Sequence, residues 1–172
     1  SIDFAVIHSD PDFLVVDKPA GLVVHPGAGN SSGTLVNGLL AMTPQIREVG
    51  EKTRPGIIHR LDKGTSGLLL VANTADAYQF FVDQLSQHKV RRIYQALVWG
   101  APEGPVGIID APIGRSSKNR KKMAIVSNGK LAKTIYFVKE SWHSSKVSLL
   151  DLELETGRTH QIRVHLSSIG NP

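Results

Sequence analysis

The sequence predicts an α+β fold, a mixed, mostly antiparallel sheet with flanking helices. Three observations predict it. Short β-branched and leucine-rich runs recur along most of the chain, only two or three stretches carry helical spacing, and the two kinds do not alternate as a parallel α/β sheet requires.

Taken in order, "FLVVDKP" (13–19) and "GLVVHPG" (21–27) are β-branched runs closed by Pro and Gly, as strand ends usually are. "TLVNGLLAM" (34–42) opens on Thr34 as an N-cap and predicts a short helix. "GLLLVAN" (67–73) is a continuous apolar run, the pattern of a strand covered on both faces. Thr74 then caps "ADAYQFFVDQLSQHK", in which Ala77, Phe80, Phe81 and Leu85 recur at helical spacing. "RRIYQALVWG" (91–100) alternates as a strand, and "VGIIDAPIG" (106–114), "KTIYFVKESW" (133–142) and "KVSLLDLELE" (146–155) are further strand candidates. In the last, Val147 and Leu149 share one phase and Leu150, Leu152 and Leu154 the other, which predicts a one-residue slip. The tail "RTHQIRVHLSSIG" (158–170) sets Ile162, Leu166 and Ile169 at i, i+4 and i+7, a helix face.

The 172 residues suit one domain, or one large domain with two lobes. A chain of this size buries roughly 70% of its unfolded surface, so a substantial core is available. Lys and Arg number 20 against 15 Asp and Glu, and the net charge of +5 suits a polyanionic partner such as RNA or DNA. There is no cysteine, which removes disulfides, thiolate nucleophiles and Cys-based zinc sites, and fits a reducing compartment. No apolar run reaches the ~20 residues of a membrane helix. The opening Ser-Ile-Asp-Phe lacks the basic and apolar stretches of a signal peptide. A soluble, cytoplasmic protein is expected.

Several stretches invite a chemical reading. "HPGAGNSSGT" (25–34) is glycine-rich, yet it lacks both the Gly-Lys-Ser/Thr ending of a P-loop and the dinucleotide-binding fingerprint. A flexible loop entering a helix is the simpler account. His160 and His165 are five apart and fall on different helix faces, and no His-Glu-x-x-His occurs, so no metal site is expected. The Gly-x-Ser-x-Gly elbow of a serine hydrolase is absent as well. "RSSKNRKKM" (115–123) holds Arg115, Lys118, Arg120, Lys121 and Lys122. This is either a solvated loop or a source of the phosphate contacts that dominate nucleic-acid affinity.

"IIHRLDKGTSGLLLVA" (57–72) places His59, Arg60, Asp62 and Lys63 between two apolar runs. A structural ion pair and an active site both fit. An aspartate beside a buried arginine stays ionised, and an ionised carboxylate can act as a covalent nucleophile.

The order of "DKPAGLVVHPG" (17–27), "HRLDKGTSGLLLVA" (59–72), "RRIYQALVWG" (91–100), "DAPIGR" (110–115) and "ETGRTHQIRVHL" (155–166) resembles the RluA family of RNA pseudouridine synthases. The resemblance runs from about residue 10 to the end. "HRLD" alone is a weak signal; with "TSGLLLVA" and a distant "GRTHQIR" it is highly specific. "LVVHPGAGN" is most similar to the large-subunit ribosomal RNA branch, synthase D.

The resemblance implies the pseudouridine synthase catalytic fold and the isomerisation of specific uridines to pseudouridine in structured RNA, with no cofactor and no metal. It assigns Asp62 as the nucleophile, Tyr94 as the ring that packs against the target base and a candidate for proton transfer, with stacking the surer role, and Arg163 as the arginine paired with the aspartate. Arg60 would fill the gap left by the flipped nucleotide, with His59 beside it and Arg115, Lys118, Arg120, Lys121, Lys122 and Arg158 gripping RNA. Ribosomal RNA is the expected partner and a monomer the expected state; a tRNA-directed synthase or a non-catalytic RNA-binding fragment are the alternatives. Relatives usually continue beyond the position of Pro172, and many carry an S4-like domain ahead of the catalytic one. Residues 1–172 are therefore expected to be the catalytic domain, incomplete at its C-terminus and without the S4-like domain.

Overall fold

Residues 2–172 are described by a computed structural model. They divide between Gln87 and His88 into two units, each with its own antiparallel sheet.

In the first unit β1 (Ala5–Ser9), β2 (Phe13–Lys18) and β3 (Gly67–Ala72) pair in the order β1-β2-β3. The Asp10 carboxylate accepts the N–H groups of Asp12 and Phe13 at 2.8 and 3.0 Å and so shapes the turn between β1 and β2. Strand alternation then buries Leu14, Val16 and Lys18 on one face of β2. On β3, Leu69 and Val71 are buried while Leu68 is 62% exposed, so the apolar run is not covered on both faces. Leu68 pairs with Asp17, which also faces outward.

Helix α1 (Leu35–Met42) starts at Thr34, whose N–H donates to Asn37 Oδ1 at 3.0 Å, and it buries Leu35, Val36 and Leu39. The strand expected at 21–27 does not form. Gly21 turns the chain at φ +91°, and the carbonyls of Val23 and Val24 accept the N–H groups of Leu35 and Val36 at 2.8 and 2.9 Å. The first donors of a helix have no partner within it, and this β-branched segment supplies them where a sheet would have competed. A 3-10 turn spans Pro44–Glu48. Helix α2 (Ala75–Ser86) is capped as expected, Thr74 Oγ1 accepting from the Ala77 N–H at 3.1 Å. None of its residues is fully buried; Phe81 meets Phe13 edge-on with ring centres 5.3 Å apart.

In the second unit β4 (Arg92–Trp99), β5 (Val106–Asp110), β8 (Lys133–Trp142) and β9 (Val147–Leu154) pair in the order β4-β9-β8-β5. The stretch 106–114 is not one strand. Pro112, which has no N–H, separates β5 from β6 (Ile113–Arg115), and β6 pairs with β7 (Met123–Ile125) as a hairpin around the basic segment. Along β9, Ser148, Leu150, Leu152 and Leu154 are buried in strict alternation, so the expected slip is absent from this strand. A buried serine had hidden the phase: Ser148 Oγ donates to the Gly100 carbonyl at 2.8 Å. The irregularity lies in β8, where Val138 pairs with Leu150 and Glu140 with Leu149, leaving Lys139 as a bulge.

Val98, Ile109, Tyr136, Leu150, Leu152 and Leu166 form the core of this unit. Leu166 comes from α3 (Gln161–Ser168), whose buried residues are Gln161, His165 and Leu166. The expected apolar face through Ile169 is thus replaced by a partly polar one, and Ile169 is exposed. Every strand pairing among the described residues is antiparallel. No helix among them is long and apolar enough to cross a membrane.

Candidate active site

Within the first unit, Asp62 is half-buried on the loop that leads into β3, and its carbonyl accepts the Thr65 N–H at 3.0 Å. What anchors this loop is Lys18, which strand alternation carries inward in phase with Leu14 and Val16. Its Nζ donates to the carbonyls of Pro19, Leu22 and Lys63 at 3.0, 2.8 and 3.3 Å. The Lys63 carbonyl also accepts the Gly21 N–H at 2.7 Å, so "DKPAG" and "RLDK" are laced together at Asp62's neighbour. Burial pushes the Lys18 ammonium below the ordinary lysine value, and the Asp62 carboxylate opposes that shift.

Arg60 is exposed, with Nη1 3.1 Å from His25 Nε2. His25 Nδ1 lies 3.0 Å from the Pro26 carbonyl, which can only accept, so the proton sits on Nδ1 and Nε2 accepts from Arg60. Glu51 lies nearby; the Arg54 guanidinium holds its carboxyl below the usual range, with smaller help from Arg60 and His25. The glycine-rich segment thus begins with a residue that orients Arg60. His59 Nε2 accepts the Leu70 N–H at 3.1 Å, tying the cluster to β3.

Within the second unit, Tyr94 lies on β4 opposite Leu152 of β9 and packs against the core. Arg163 is exposed on α3 because of the residues on either side of it. Each helical residue advances about 100°, so Gln161 and His165 share a face while Arg163 points about 200° away from Gln161.

The buried face is a closed hydrogen-bond network. Gln161 Oε1 accepts from Thr156 Oγ1 and the Arg158 N–H at 2.7 and 3.0 Å, and Gln161 Nε2 donates to the Lys133 carbonyl and Thr134 Oγ1, both at 3.0 Å. Thr134 Oγ1 lies 2.8 Å from His165 Nδ1, and His165 Nε2 is 2.9 Å from the Ala111 carbonyl. The carbonyl fixes the proton on Nε2, leaving Nδ1 to accept from Thr134. His160, just ahead, takes the left-handed conformation at φ +55°. His160 and His165 are thus set apart, and no group of three potential metal-ligating residues is found among the described residues.

Arg115, Lys118, Arg120, Lys121 and Lys122 are exposed on an ordered β6–β7 turn. The Ser116 N–H donates to the Lys122 carbonyl at 2.9 Å, and Ser116 Oγ accepts from the Lys118 and Asn119 N–H groups at 3.3 and 3.2 Å. Lys121 and Lys122 face His160 and Arg163 across a groove of about 620 Å³. Arg158 is also exposed, its Nε donating to the Leu131 carbonyl at 2.8 Å.

Residues 12–168 match the family model described as RNA pseudouridylate synthase. This chain belongs to that family. The match spans the Asp62, Tyr94 and Arg163 segments alike. The chain is 52% identical over 172 residues to the ribosomal large subunit pseudouridine synthase D of Nitrosomonas europaea, covering all of this chain and 48% of that protein. It is 50% identical to the synthase of the same name from Pseudomonas aeruginosa, covering 99% of this chain and 52% of the relative. The chain therefore spans about half the length of these curated relatives. Among solved structures, human RNA pseudouridylate synthase domain containing 1 superposes with a TM-score of 0.79 at 29% identity, covering 99% of this chain and 67% of the other.

Sequence reasoning passed over Lys18, His25, Gln161 and the packing role of His165. Lys18 was findable, because it continues the Leu14–Val16 phase of β2. Gln161 and His165 share a helical face, but a polar pair at that spacing gives no sign of which way it points.

Proposed function

We propose that this pseudouridylate synthase domain isomerises uridine to pseudouridine in structured RNA, with large-subunit ribosomal RNA as its substrate. The observation that carries the reading is the family match across residues 12–168. The names of the relatives from Nitrosomonas and Pseudomonas support the ribosomal substrate.

In the net reaction the bond from the ribose carbon to uracil N1 breaks and a bond from that carbon to uracil C5 forms. The proton of C5 is lost and N1 gains one, so neither oxidant nor cofactor is consumed. Asp62 serves as the covalent nucleophile, a role open to an ionised carboxylate. The Lys18 anchor favours it by holding the neighbouring backbone in one geometry and by placing a positive charge in the field of the carboxylate. Tyr94 stacks on the base, Arg163 keeps the role that the family resemblance gives it, and Arg60 occupies the space of the extruded nucleotide. The groove beside Lys121, Lys122, His160 and Arg163 suits a phosphate backbone.

Tritium release from ribosomal stem-loop RNA labelled at uridine C5 tests the reading. The chain should release tritium, and Asp62→Asn should abolish release while retaining RNA binding. Salt-sensitive binding without release would leave a binding module only, and release from tRNA alone would shift the substrate class.

A further inference from the structure

Arg92 is the half-buried cation that the proposed chemistry leaves unused. It lies two residues before Tyr94 on β4, and alternation puts both on the strand face that continues through Ala96 to the buried Val98. Its Nη2 donates to the Glu155 carbonyl at 3.3 Å, while its Nε is buried and meets no hydrogen-bond partner. Among the described residues no carboxylate forms an ion pair with it. Its surroundings are set by burial, which lowers its proton affinity, by Tyr94, which raises it, and by Arg158, which lowers it again. The Arg158 charge thus adds to the effect of burial on the Arg92 guanidinium. Between the two in sequence comes Gly157, where a Cβ would lie 2.3 Å from Arg92 Nη1, so the bare backbone is what lets the guanidinium settle there.

A charge removed from water without a counter-charge is costly, and folds rarely retain one without use. A half-buried guanidinium with an unsatisfied donor, resting against Gly157 next to a second arginine in the chain, has the chemistry of an oxyanion site. We propose that Arg92 and Arg158 form a phosphodiester-binding subsite that holds the backbone of the nucleotide whose base stacks on Tyr94. This rests on the RNA reading above and deepens it. Residues i and i+2 of a strand stand about 6.8 Å apart, a span a ribose bridges between its base and its phosphate. The subsite fixes the sugar while the base is detached and turned, a step in which the base alone must move.

The direct probe is the Arg92 Nε–Hε resonance, followed in the chain during titration with a uridine hexanucleotide, with its uncharged methylphosphonate analogue, and with inorganic phosphate. A saturable shift with the phosphodiester and none with the methylphosphonate is expected. Equal shifts with both oligonucleotides, or none with either, would overturn the subsite; a shift with inorganic phosphate alone would mark an adventitious ion only. In parallel, Arg92→Gln should raise KM for ribosomal stem-loop RNA about tenfold with kcat nearly unchanged, and lower the salt slope of binding by about one. Gly157→Ala, which displaces the guanidinium and keeps its charge, should reproduce part of the KM effect. An unchanged salt slope and KM in Arg92→Gln would refute the proposal. If hexanucleotide binds through Arg92 and no tritium is released by the unaltered chain, the subsite stands and the isomerase reading falls.

Discussion

The carboxylate of Asp62 supports the positive charge of Lys18, an ammonium with no exposed surface. Three backbone carbonyls hold that ammonium, one of them belonging to the residue after Asp62. Electrostatic support and loop geometry therefore have a common origin in one side chain.

Replacing Asp62 by Asn should move the Lys18 titration further down, as read from the 15N shift of Nζ against pH. Burial lowers the proton affinity of Lys18 and the carboxylate raises it, so removing the carboxylate leaves burial less opposed. The folded chain then releases this proton at a lower pH than the unfolded chain does. Between those two values the unfolded state binds more protons, so stability rises with pH, and over a wider alkaline window in Asp62→Asn. An unmoved Lys18 titration would separate the two residues.

Tyr94 should tolerate loss of its hydroxyl better than loss of its ring. Tyr94→Phe keeps the stacking surface and should bind RNA nearly as well as the unaltered chain. Tyr94→Ala should lose about 1–3 kcal/mol in binding, the usual worth of a base stacked on an aromatic side chain. Isothermal titration with the stem-loop RNA decides it, and equal affinities for the two variants would count against stacking.

Gln161 uses both its acceptor and its donors to hold α3, so Gln161→Leu should destabilise the chain by about 3 kcal/mol in urea denaturation. The groups left without this partner would be the Thr156 hydroxyl and the Arg158 N–H, while the Lys133 carbonyl keeps the Glu155 N–H at 3.3 Å. Thr134→Val, which breaks the link between Gln161 and His165, should cost less, about 1–2 kcal/mol.

These cases also show where reading a sequence reaches its limit. Strands β2, β3, β4, β8 and β9 and all three helices were legible because apolar spacing and Thr caps are local signals. The segment 21–27 was misread because β-branched residues favour a strand, whereas the unfilled N–H groups of α1 lie several residues further on. The phase of β9 was misread because Ser148 is buried by a hydrogen bond that no pattern of apolar residues records. Asp62, Tyr94 and Arg163 stood out through their motifs, yet Lys18 and Arg92 did not, since a basic residue in a strand looks solvated until its alternation is followed.

Neutralising Lys118, Arg120, Lys121 and Lys122 together should weaken RNA binding broadly and flatten its salt dependence. Each lost phosphate contact reduces the slope of log affinity against log salt by about 0.7–0.9. The turn itself should survive, because its hydrogen bonds run through Ser116, Asn119 and the backbone rather than through these side chains. A slope unchanged from that of the unaltered chain would return the segment to an ordinary solvated loop.

Strand β9 has β4 on one side and β8 on the other, and its alternate residues are buried in the core of the second unit. Each of its amides faces either β4 or β8, so exposing the whole strand requires both neighbours to part from it. The deuterium uptake of the β9 amides should be the slowest in the unit and should report its global unfolding, whereas β4 and β5, each paired on one side within that sheet, exchange through smaller openings. Tyr94 thus lies on the outer strand of that ladder, which can part from β9 while β9 keeps its pairing with β8.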